Sequence, residues 1–168
     1  MVKLLGSILI VISTWGIGSC FSMEYKKKIV FRQNLVKMMD LISREIAYHR
    51  CTIPDAFIEV SEKIMDPFQA FLKAICVEMK KKDGNAFADI WKNMVMIYFK
   101  DFEESDKLTM MGIHLGYLDI SLQTRTIEQF IEEENEKIIE LKQDLKIKTR
   151  LYNCLGAVSG LFLVILLI

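Results

Sequence analysis

The chain is uncharged over a long stretch at each end, and this constrains its fold more than any other feature. Residues 4–23 and 151–168 contain no Asp, Glu, Lys or Arg. A helix of about eighteen residues just crosses a hydrocarbon core of roughly 30 Å. We therefore predict transmembrane helices over residues 1–23 and 151–168, with one domain over residues 24–150. The alternative for the C-terminal run, a buried core helix, is disfavoured because such helices normally keep a polar face.

The N-terminal run has three interpretations: a retained anchor, an ordinary cleaved signal peptide and a lipoprotein signal. The last rests on Ile17-Gly18-Ser19-Cys20, where small residues precede a cysteine that a lipid could modify. An exported lipoprotein scaffold anchored through Cys20 is therefore the alternative to a membrane-spanning protein.

The placement of positive charge favours the retained anchor. On the far side of the two runs the sequence offers Lys3, whereas the middle segment is rich in Lys and Arg close to both of them. The positive-inside bias therefore predicts that residues 24–150 are cytoplasmic and that both ends lie across the membrane. The basic residues concerned are Lys26, Lys27, Lys28, Arg32, Lys37, Lys137, Lys142, Lys146, Lys148 and Arg150.

The overall charge excludes one class of function. The formal net charge is +0, and all charged residues except Lys3 lie between Glu24 and Arg150. With no basic excess to neutralise phosphates, a nucleic-acid-binding role is disfavoured. The four cysteines show no CxxC spacing, which argues against a zinc site or a disulfide framework.

The middle segment predicts about six helices. Residues 24–50 carry an apolar stripe at three- and four-residue steps, and neither Gly nor Pro separates this helix from the first apolar run. Pro54 and Pro67 are typical of first helical turns, with Asp66 as a cap before the second. Asp83-Gly84-Asn85 predicts a turn. Further helices are expected over residues 86–99, 107–118 and 122–150, the last continuing into the C-terminal run. The helix over residues 107–118 has its apolar core stripe at Leu108, Met111 and Leu115.

These patterns predict an all-α fold. The run Val95–Phe99 alone is also compatible with a strand, but no partner strand is present, so we assign it to a helix. Short connections between amphipathic helices favour an antiparallel helical bundle, flanked by the two transmembrane helices.

No catalytic or metal-binding constellation is visible. His49 and His114 are far apart, and Glu45 with His49 gives only two ligands at helical spacing. The acidic cluster at residues 132–136 is expected to be a solvated helix face. No phosphate-binding loop or nucleophile elbow occurs. We therefore predict no cofactor and no enzyme; a small membrane enzyme or regulator has no residue pattern in its favour.

The C-terminal run carries a close-packing motif. Gly156 and Gly160, with Ala157 and Ser159, form a small-xxx-small surface that permits close helix approach. Gly16 and Gly18 provide a similar notch in the first run. The two transmembrane helices are expected to pack either on each other or on neighbouring proteins, including a second copy of the chain.

Several motifs occur in an order that resembles a known family. Residues 115–123 read L-G-x-x-D-x-x-x-Q, and residues 151–160 read L-Y-x-x-L-G-x-x-x-G. Together with the opening Lys3-Leu4-Leu5-Gly6 and Glu45-Ile46-Ala47-Tyr48 before Thr52-x-Pro54, they resemble the stage III sporulation protein AB family of endospore-forming bacteria. The resemblance spans essentially the whole chain. Ile53, in the segment before Pro54, departs from the Thr-Pro-Leu type of turn expected there.

The resemblance implies a function that the residues alone do not. The family is similar to the cytoplasmic helical domains of type II secretion F proteins, so a bundle of that kind is implied. It also implies a non-catalytic platform subunit in the mother-cell membrane facing the forespore. The implied partners are the assembly's cytoplasmic ATPase, stage III sporulation protein AA, and the other subunits of the channel.

The family motif at residues 115–123 provides the candidate partner-binding residues, Gly116, Asp119 and Gln123. Gly116 either allows close helix contact or ends its helix. If the last helix begins near Ile120, Asp119 can cap it and Gln123 lies in its first turn. A structural turn with a cap and a partner-contact site therefore both remain open for this motif.

Overall fold

The computed structural model describes the backbone of residues 2–49, 52–81, 84–103, 105–116 and 119–167. Within these residues it also describes the side chains, except at residues 2–22, 49, 152, 153, 157, 159–161 and 163–167. The described residues contain six α-helices and no strand, which confirms the predicted all-α class and helix count.

The helices follow each other through short connections. They are α1 (Val2–His49), α2 (Ile53–Lys63), α3 (Phe68–Lys80), α4 (Phe87–Tyr98), α5 (Ser105–Leu115) and α6 (Ile120–Leu167). α1 runs without a break from the first apolar run into the amphipathic segment, and α6 runs from the second half of the chain into the last apolar run. Both continuities were predicted. The segment Val95–Phe99, for which a strand was the alternative, is helical up to Tyr98, the last residue of α4, and Phe99 is the cap that follows.

The chain divides into two compact units. The terminal unit comprises Met1–Arg32 with Glu136–Ile168, and the central unit comprises Gln33–Asn135.

The central unit is built around an aromatic cluster. Trp91 of α4 is fully buried, with its ring centroid 5.0 Å from that of Phe71 in an edge-on arrangement and 5.9 Å from that of Phe57. Phe99 lies 4.9 Å from Phe71 and 5.1 Å from Phe68, again between centroids. Aromatic pairs at these separations add to the free energy gained by burying their area. The cluster therefore joins α2, α3 and the end of α4.

Two pairs of consecutive helices in the central unit are antiparallel. In each pair, contacts join the end of one helix to the start of the other. In α2 and α3, Cys76 Sγ lies 3.7 Å from the Pro54 carbonyl oxygen, while Gln69 Nε2 donates to the Ser61 carbonyl at 2.9 Å. In α5 and α6, Lys107 contacts Glu133 and Gln123 contacts the Leu115 carbonyl. The predicted antiparallel arrangement is thus observed for these two pairs of helices.

Helix starts agree with the predicted proline positions in one case and differ in the other. Thr52 is the N-cap of α2, with Pro54 in the first turn as expected. α3 begins at Phe68, one residue later than predicted, because Pro67 takes the cap position. Asp66 still acts near the start, since its Oδ1 accepts a hydrogen bond from the Ala70 backbone N–H at 3.2 Å.

The turn at Gly84 is present as predicted, whereas the bounds of α5 differ from the prediction. Gly84 has φ of 74° at the expected turn, which favours glycine because a Cβ is strained there. α5 spans Ser105–Leu115 rather than residues 107–118, so it begins and ends earlier than the sequence pattern indicated. Its predicted core stripe, Leu108, Met111 and Leu115, is buried.

The terminal unit consists of the two helix segments at the ends of the chain. Lys148 Nζ of α6 donates to Tyr25 Oη of α1 and lies 4.5 Å from the Tyr25 ring centroid. Beyond Lys148, α6 exposes an apolar stripe at three- and four-residue steps. Its members are Leu151, Leu155, Val158 and Phe162, each at least 54% exposed.

Within the described residues, no helix is both long enough and apolar enough to cross a membrane. The predicted transmembrane helices fall mostly on side chains outside that description, namely those of residues 2–22 and several between residues 152 and 168.

Candidate functional site

Asp119 caps the last helix. Its Oδ1 accepts hydrogen bonds from the Ser121 backbone N–H at 2.8 Å, the Ser121 hydroxyl at 2.8 Å and the Leu122 backbone N–H at 3.4 Å. The hydrogen bond from the Ser121 side chain, followed by those from the backbone, lowers the pKa of the Asp119 carboxyl below its ordinary value. Since the first N–H groups of a helix have no partner within it, this carboxylate stabilises the start of α6.

Gln123 joins the last helix to the preceding one. Its side chain is buried, with 5% of the residue exposed, and Nε2 donates to the Leu115 carbonyl oxygen at 2.8 Å. Leu115 is the last residue of α5. Carbonyls in the last turn of a helix lack a partner within the helix, so the Gln123 amide satisfies one of them.

Gly116 follows directly after α5. Its backbone N–H donates to the Gly112 carbonyl at 3.2 Å, which completes the last turn. A Cβ placed on Gly116 would lie 3.4 Å from the Ile113 carbonyl oxygen and 3.7 Å from Phe87 Cδ1. These are ordinary contacts. Of the two predicted roles, ending the helix is the one that the structure shows.

The close approach between helices occurs one turn earlier, at Gly112. A Cβ on Gly112 would lie 2.3 Å from Trp91 Cδ1 and 2.8 Å from Trp91 Cβ. Trp91 Nε1 also donates to the Leu108 carbonyl oxygen at 2.7 Å. The Trp91 side chain of α4 therefore lies directly against Gly112 of α5 and is held there by a hydrogen bond. Sequence reasoning missed this pair.

The three motif residues thus meet at the α5–α6 junction. Gly116 ends α5, Asp119 begins α6 and Gln123 bonds across the two helices. These are structural uses of the motif, and they orient α5 against α6. Contact of Gly116, Asp119 and Gln123 with a partner protein stays a prediction.

α5 exposes apolar side chains on its outward face. Met110 is 54% exposed and Ile113 is 43% exposed, and their three-residue spacing places them side by side. Asp106 lies one turn before Met110 on the same face and is also exposed. We call Asp106, Met110 and Ile113 the α5 outer face. The sequence did contain a signal for it, because both apolar residues fall outside the predicted core stripe of Leu108, Met111 and Leu115.

The acidic cluster is only partly solvated. Glu133 accepts a hydrogen bond from Lys107 Nζ at 2.6 Å, which forms an ion pair between α6 and α5. Glu134 is buried, with 1% of the residue exposed, whereas Glu132 and Glu136 are exposed. The prediction of a solvated helix face is therefore correct for Glu132 and Glu136 and wrong for Glu134.

Most of the remaining predicted residues have side chains outside the described part of the chain. His114 is half-buried near the end of α5, whereas the side chains of His49 and Cys20 are outside the described part. The same applies to Gly160. A Cβ on Gly156 would meet no heavy atom of the described residues within 4 Å. Across the described part of the chain, no three His, Cys, Asp or Glu side chains are placed to hold a metal ion.

One surface pocket adjoins the start of α3. Its volume is about 210 Å³, which is below the roughly 300–1,000 Å³ of typical small-molecule sites. Its Lys63 is engaged in ion pairs with Glu45 at 3.0 Å and Glu59 at 2.9 Å. The ion pair between Lys63 and Glu45 therefore joins α2 to α1, and Lys63 is not available to a ligand as an isolated cation. Its lining is Asn34, Lys37, Glu62, Lys63, Ile64, Met65 and Phe68.

Comparison with known proteins identifies the family. A family model described as stage III sporulation protein AB matches residues 3–168, nearly the whole chain. The chain belongs to the stage III sporulation protein AB family. Comparisons with curated proteins and with solved structures gave no match.

Family membership confirms the resemblance found in the sequence motifs and implies a role in sporulation. The description of the stage III sporulation protein AB family names a stage of sporulation and no catalytic activity. The likeness to type II secretion F domains stays a prediction, since no solved structure matches.

Proposed function

We propose that this member of the stage III sporulation protein AB family is a non-catalytic membrane platform subunit. It belongs to the secretion-like channel assembly between mother cell and forespore, and it docks the assembly's cytoplasmic ATPase, stage III sporulation protein AA. The observation that carries the proposal is the family match over residues 3–168. The helical central unit supports it, because its α5 exposes apolar side chains of the kind that a partner protein covers.

Membrane anchoring is the first part of the proposal. Apolar runs at residues 4–23 and 151–168 lie on α1 and α6, which continue as unbroken helices into them. The exposed stripe of Leu151, Leu155, Val158 and Phe162 is the kind of surface that lipid or a neighbouring helix covers. We place both helices in the mother-cell membrane that faces the forespore, with residues 24–150 in the cytoplasm.

ATPase docking is the second part. Exposed apolar residues rimmed by charge are typical of protein-protein contacts. The α5 outer face has this character, with Met110 and Ile113 exposed beside Asp106. Its orientation is held by the Trp91–Gly112 contact on one side and the Gln123–Leu115 hydrogen bond on the other. We assign the ATPase contact to this face.

Topology tests the anchoring. A single cysteine at Asn85, in a chain whose four native cysteines are replaced, is treated with a membrane-impermeant maleimide in intact cells. Asn85 is exposed beside the turn, and it is preferable to Gly84, whose φ of 74° would strain a cysteine. Protection until the membrane is broken is expected. Immediate labelling would contradict the proposal, and palmitate labelling lost on Cys20→Ala would then support an exported lipoprotein.

Co-purification tests the docking face. Met110→Asp with Ile113→Asp should abolish recovery of the ATPase from sporulating cells while circular dichroism shows an intact helical fold. Met65→Asp is the matched control, since Met65 is 85% exposed and lies outside α5. Unchanged recovery with the double variant would reject this face. A change in oligomeric state with normal ATPase recovery would instead assign the face to a second copy of the chain.

A further inference from the structure

The contact between Tyr25 and Lys148 sets the register of the two helices in the terminal unit. These residues are 123 positions apart, and Lys148 Nζ both bonds the Tyr25 hydroxyl and lies 4.5 Å from the ring centroid. Tyr25 follows the end of the first apolar run by two residues, and Lys148 precedes the second run by three. The end of the first apolar run and the start of the second therefore lie at nearly the same level along the pair of helices.

The same register brings two basic segments together. On α1, Lys26, Lys27 and Lys28 are consecutive and exposed, so they point to three sides of the helix. On α6, Lys142, Lys146 and Arg150 recur at four-residue steps and are exposed, so they form one ridge. We call these six residues the basic collar.

Acidic residues are few at this level. Glu24 lies beside the collar on α1, Glu140 is exposed two residues before Lys142 on α6, and Asp144 lies 3.9 Å from Lys148. The collar therefore keeps a clear excess of positive charge, although the chain as a whole is formally neutral. The formal net charge of the chain therefore does not reveal this local excess of positive charge.

The position of the collar indicates its ligand. It adjoins the exposed apolar stripe that starts at Leu151, one residue after Arg150. Basic clusters directly beside a membrane helix attract anionic lipids, whereas an acidic protein would not need the apolar surface next to it. We propose that the basic collar binds the headgroups of anionic phospholipids and so selects an anionic membrane surface. This inference rests on the membrane anchoring proposed above.

Lipid competition tests the collar. The full-length chain, purified in a non-ionic detergent, is incubated with equal amounts of phosphatidylglycerol and phosphatidylcholine, and native mass spectrometry counts the retained lipids. The test variant replaces Lys26, Lys27, Lys142 and Lys146 by Gln, which keeps most of each side chain while removing its charge. Lys148 is left unchanged so that the contact with Tyr25 persists.

The matched control removes the same charge elsewhere. Lys37, Lys73, Lys92 and Lys100 are exposed in the central unit, and their replacement by Gln changes the net charge equally. The native chain and the control should prefer phosphatidylglycerol. The collar variant should lose that preference by about tenfold or more, since each basic side chain near an anionic surface adds to the attraction.

Two outcomes overturn the inference: a native chain that retains both lipids equally, and a collar variant that keeps the native preference. Flotation of the chain with phosphatidylcholine vesicles separates this from the anchoring proposal. A chain that floats but shows no lipid preference refutes only the collar. A chain that neither floats nor retains any lipid refutes the anchoring as well.

Discussion

At the scale of single residues, tolerance of a substitution depends on what the neighbouring helix places opposite it. Gly112 and Gly116 are one turn apart on the same stretch of chain, yet their surroundings differ. The Trp91 indole lies against Gly112, whereas the space beside Gly116 admits a methyl group at ordinary contact distances. The two glycines therefore give a matched pair for testing the packing of α4 on α5.

We expect Gly112→Ala to destabilise the bundle by about 1–3 kcal/mol, because the new methyl group would lie 2.3 Å from Trp91 Cδ1 and forces the indole to move. Gly116→Ala should change the free energy of unfolding by only about 0.5 kcal/mol or less. Urea unfolding of the full-length chain in detergent, followed by Trp91 fluorescence in a Trp15→Phe background, measures both. Equal stability of the two variants would contradict the close packing at Gly112.

The second residue prediction concerns pH. Hydrogen bonds from Ser121 and Leu122 lower the pKa of Asp119, so the folded chain binds a proton there less readily than the unfolded chain. The stabilisation is then present above the unfolded pKa and is lost as the pH falls through the folded pKa. Asp119→Ala should lower Tm by a few degrees near neutral pH, and the difference should close in acid.

Asp119→Asn provides the control for that prediction. Its amide oxygen can still accept the backbone hydrogen bonds but does not titrate. Asp119→Asn should therefore lie closer in Tm to the native chain than Asp119→Ala does at neutral pH, and its gap should narrow in acid in the same way. Thermal unfolding by circular dichroism across acid to neutral pH measures all three chains. A Tm difference between Asp119→Ala and the native chain that is the same at every pH would rule out the carboxylate as the cause.

Asp119 and Gly112 also mark what sequence can predict at this scale. A cap acts on backbone groups within a few residues of itself, so Asp119 before Ile120 was recognisable from the local sequence. The role of Gly112 depends on Trp91, a residue on another helix, and no local pattern specifies which residue lies opposite a glycine. The same reason explains why burial of Glu134 was missed.

At the scale of helices, the sequence predicted the number and type of elements more accurately than their ends. Periodic stripes such as Leu108, Met111 and Leu115 identify a buried face, since that pattern follows from helix geometry. The ends of the helices depend on which of several nearby groups forms hydrogen bonds with the terminal backbone N–H and C=O groups. Pro67 occupies the cap position of α3 rather than its first turn. α5 ends at Leu115, directly before Gly116 and the α5–α6 junction.

The α5–α6 junction gives a prediction at this scale. Gln123→Leu retains the volume of the side chain but removes the donor to the Leu115 carbonyl, which is 2.8 Å away. A buried acceptor left without its partner costs about 1–3 kcal/mol. We expect that loss in urea unfolding of the full-length chain in detergent. The matched control is Gln129→Leu, at an exposed position of α6, which should leave stability nearly unchanged.

The Gln123→Leu variant also tests whether the α5–α6 junction supports ATPase binding indirectly. Because Gln123 orients α5 against α6, Gln123→Leu should also weaken ATPase recovery if the α5 outer face is the docking surface, although Gln123 itself is buried. If Gln123→Leu lost no stability, the hydrogen bond would be unimportant. The motif residue would then need an explanation other than its structural role.

At the scale of the whole molecule, the register between distant helix segments was beyond the reach of sequence. Both apolar runs were evident, and their charge flanks predicted an orientation. The sequence did not predict how the two runs are aligned along the helix pair. The helical periodicity of one segment carries no information about the level at which another segment packs against it. The Tyr25–Lys148 contact provides that level in the terminal unit, and with it the basic collar.

This register predicts a specific cross-link. In a full-length chain without its four native cysteines, Tyr25→Cys with Lys148→Cys should be joined by a short bis-maleimide, since the two native side chains touch. Tyr25→Cys with Lys137→Cys is the control. Residue 137 lies eleven positions earlier on α6, which displaces it by roughly 16 Å along the helix at about 1.5 Å per residue. Mobility on denaturing gels separates the outcomes: preferential linking at residue 148 supports a common starting level for both apolar runs. Linking at residue 137 instead would shift one run by about half a membrane thickness relative to the other, and a single bilayer could then not cover both over their full length.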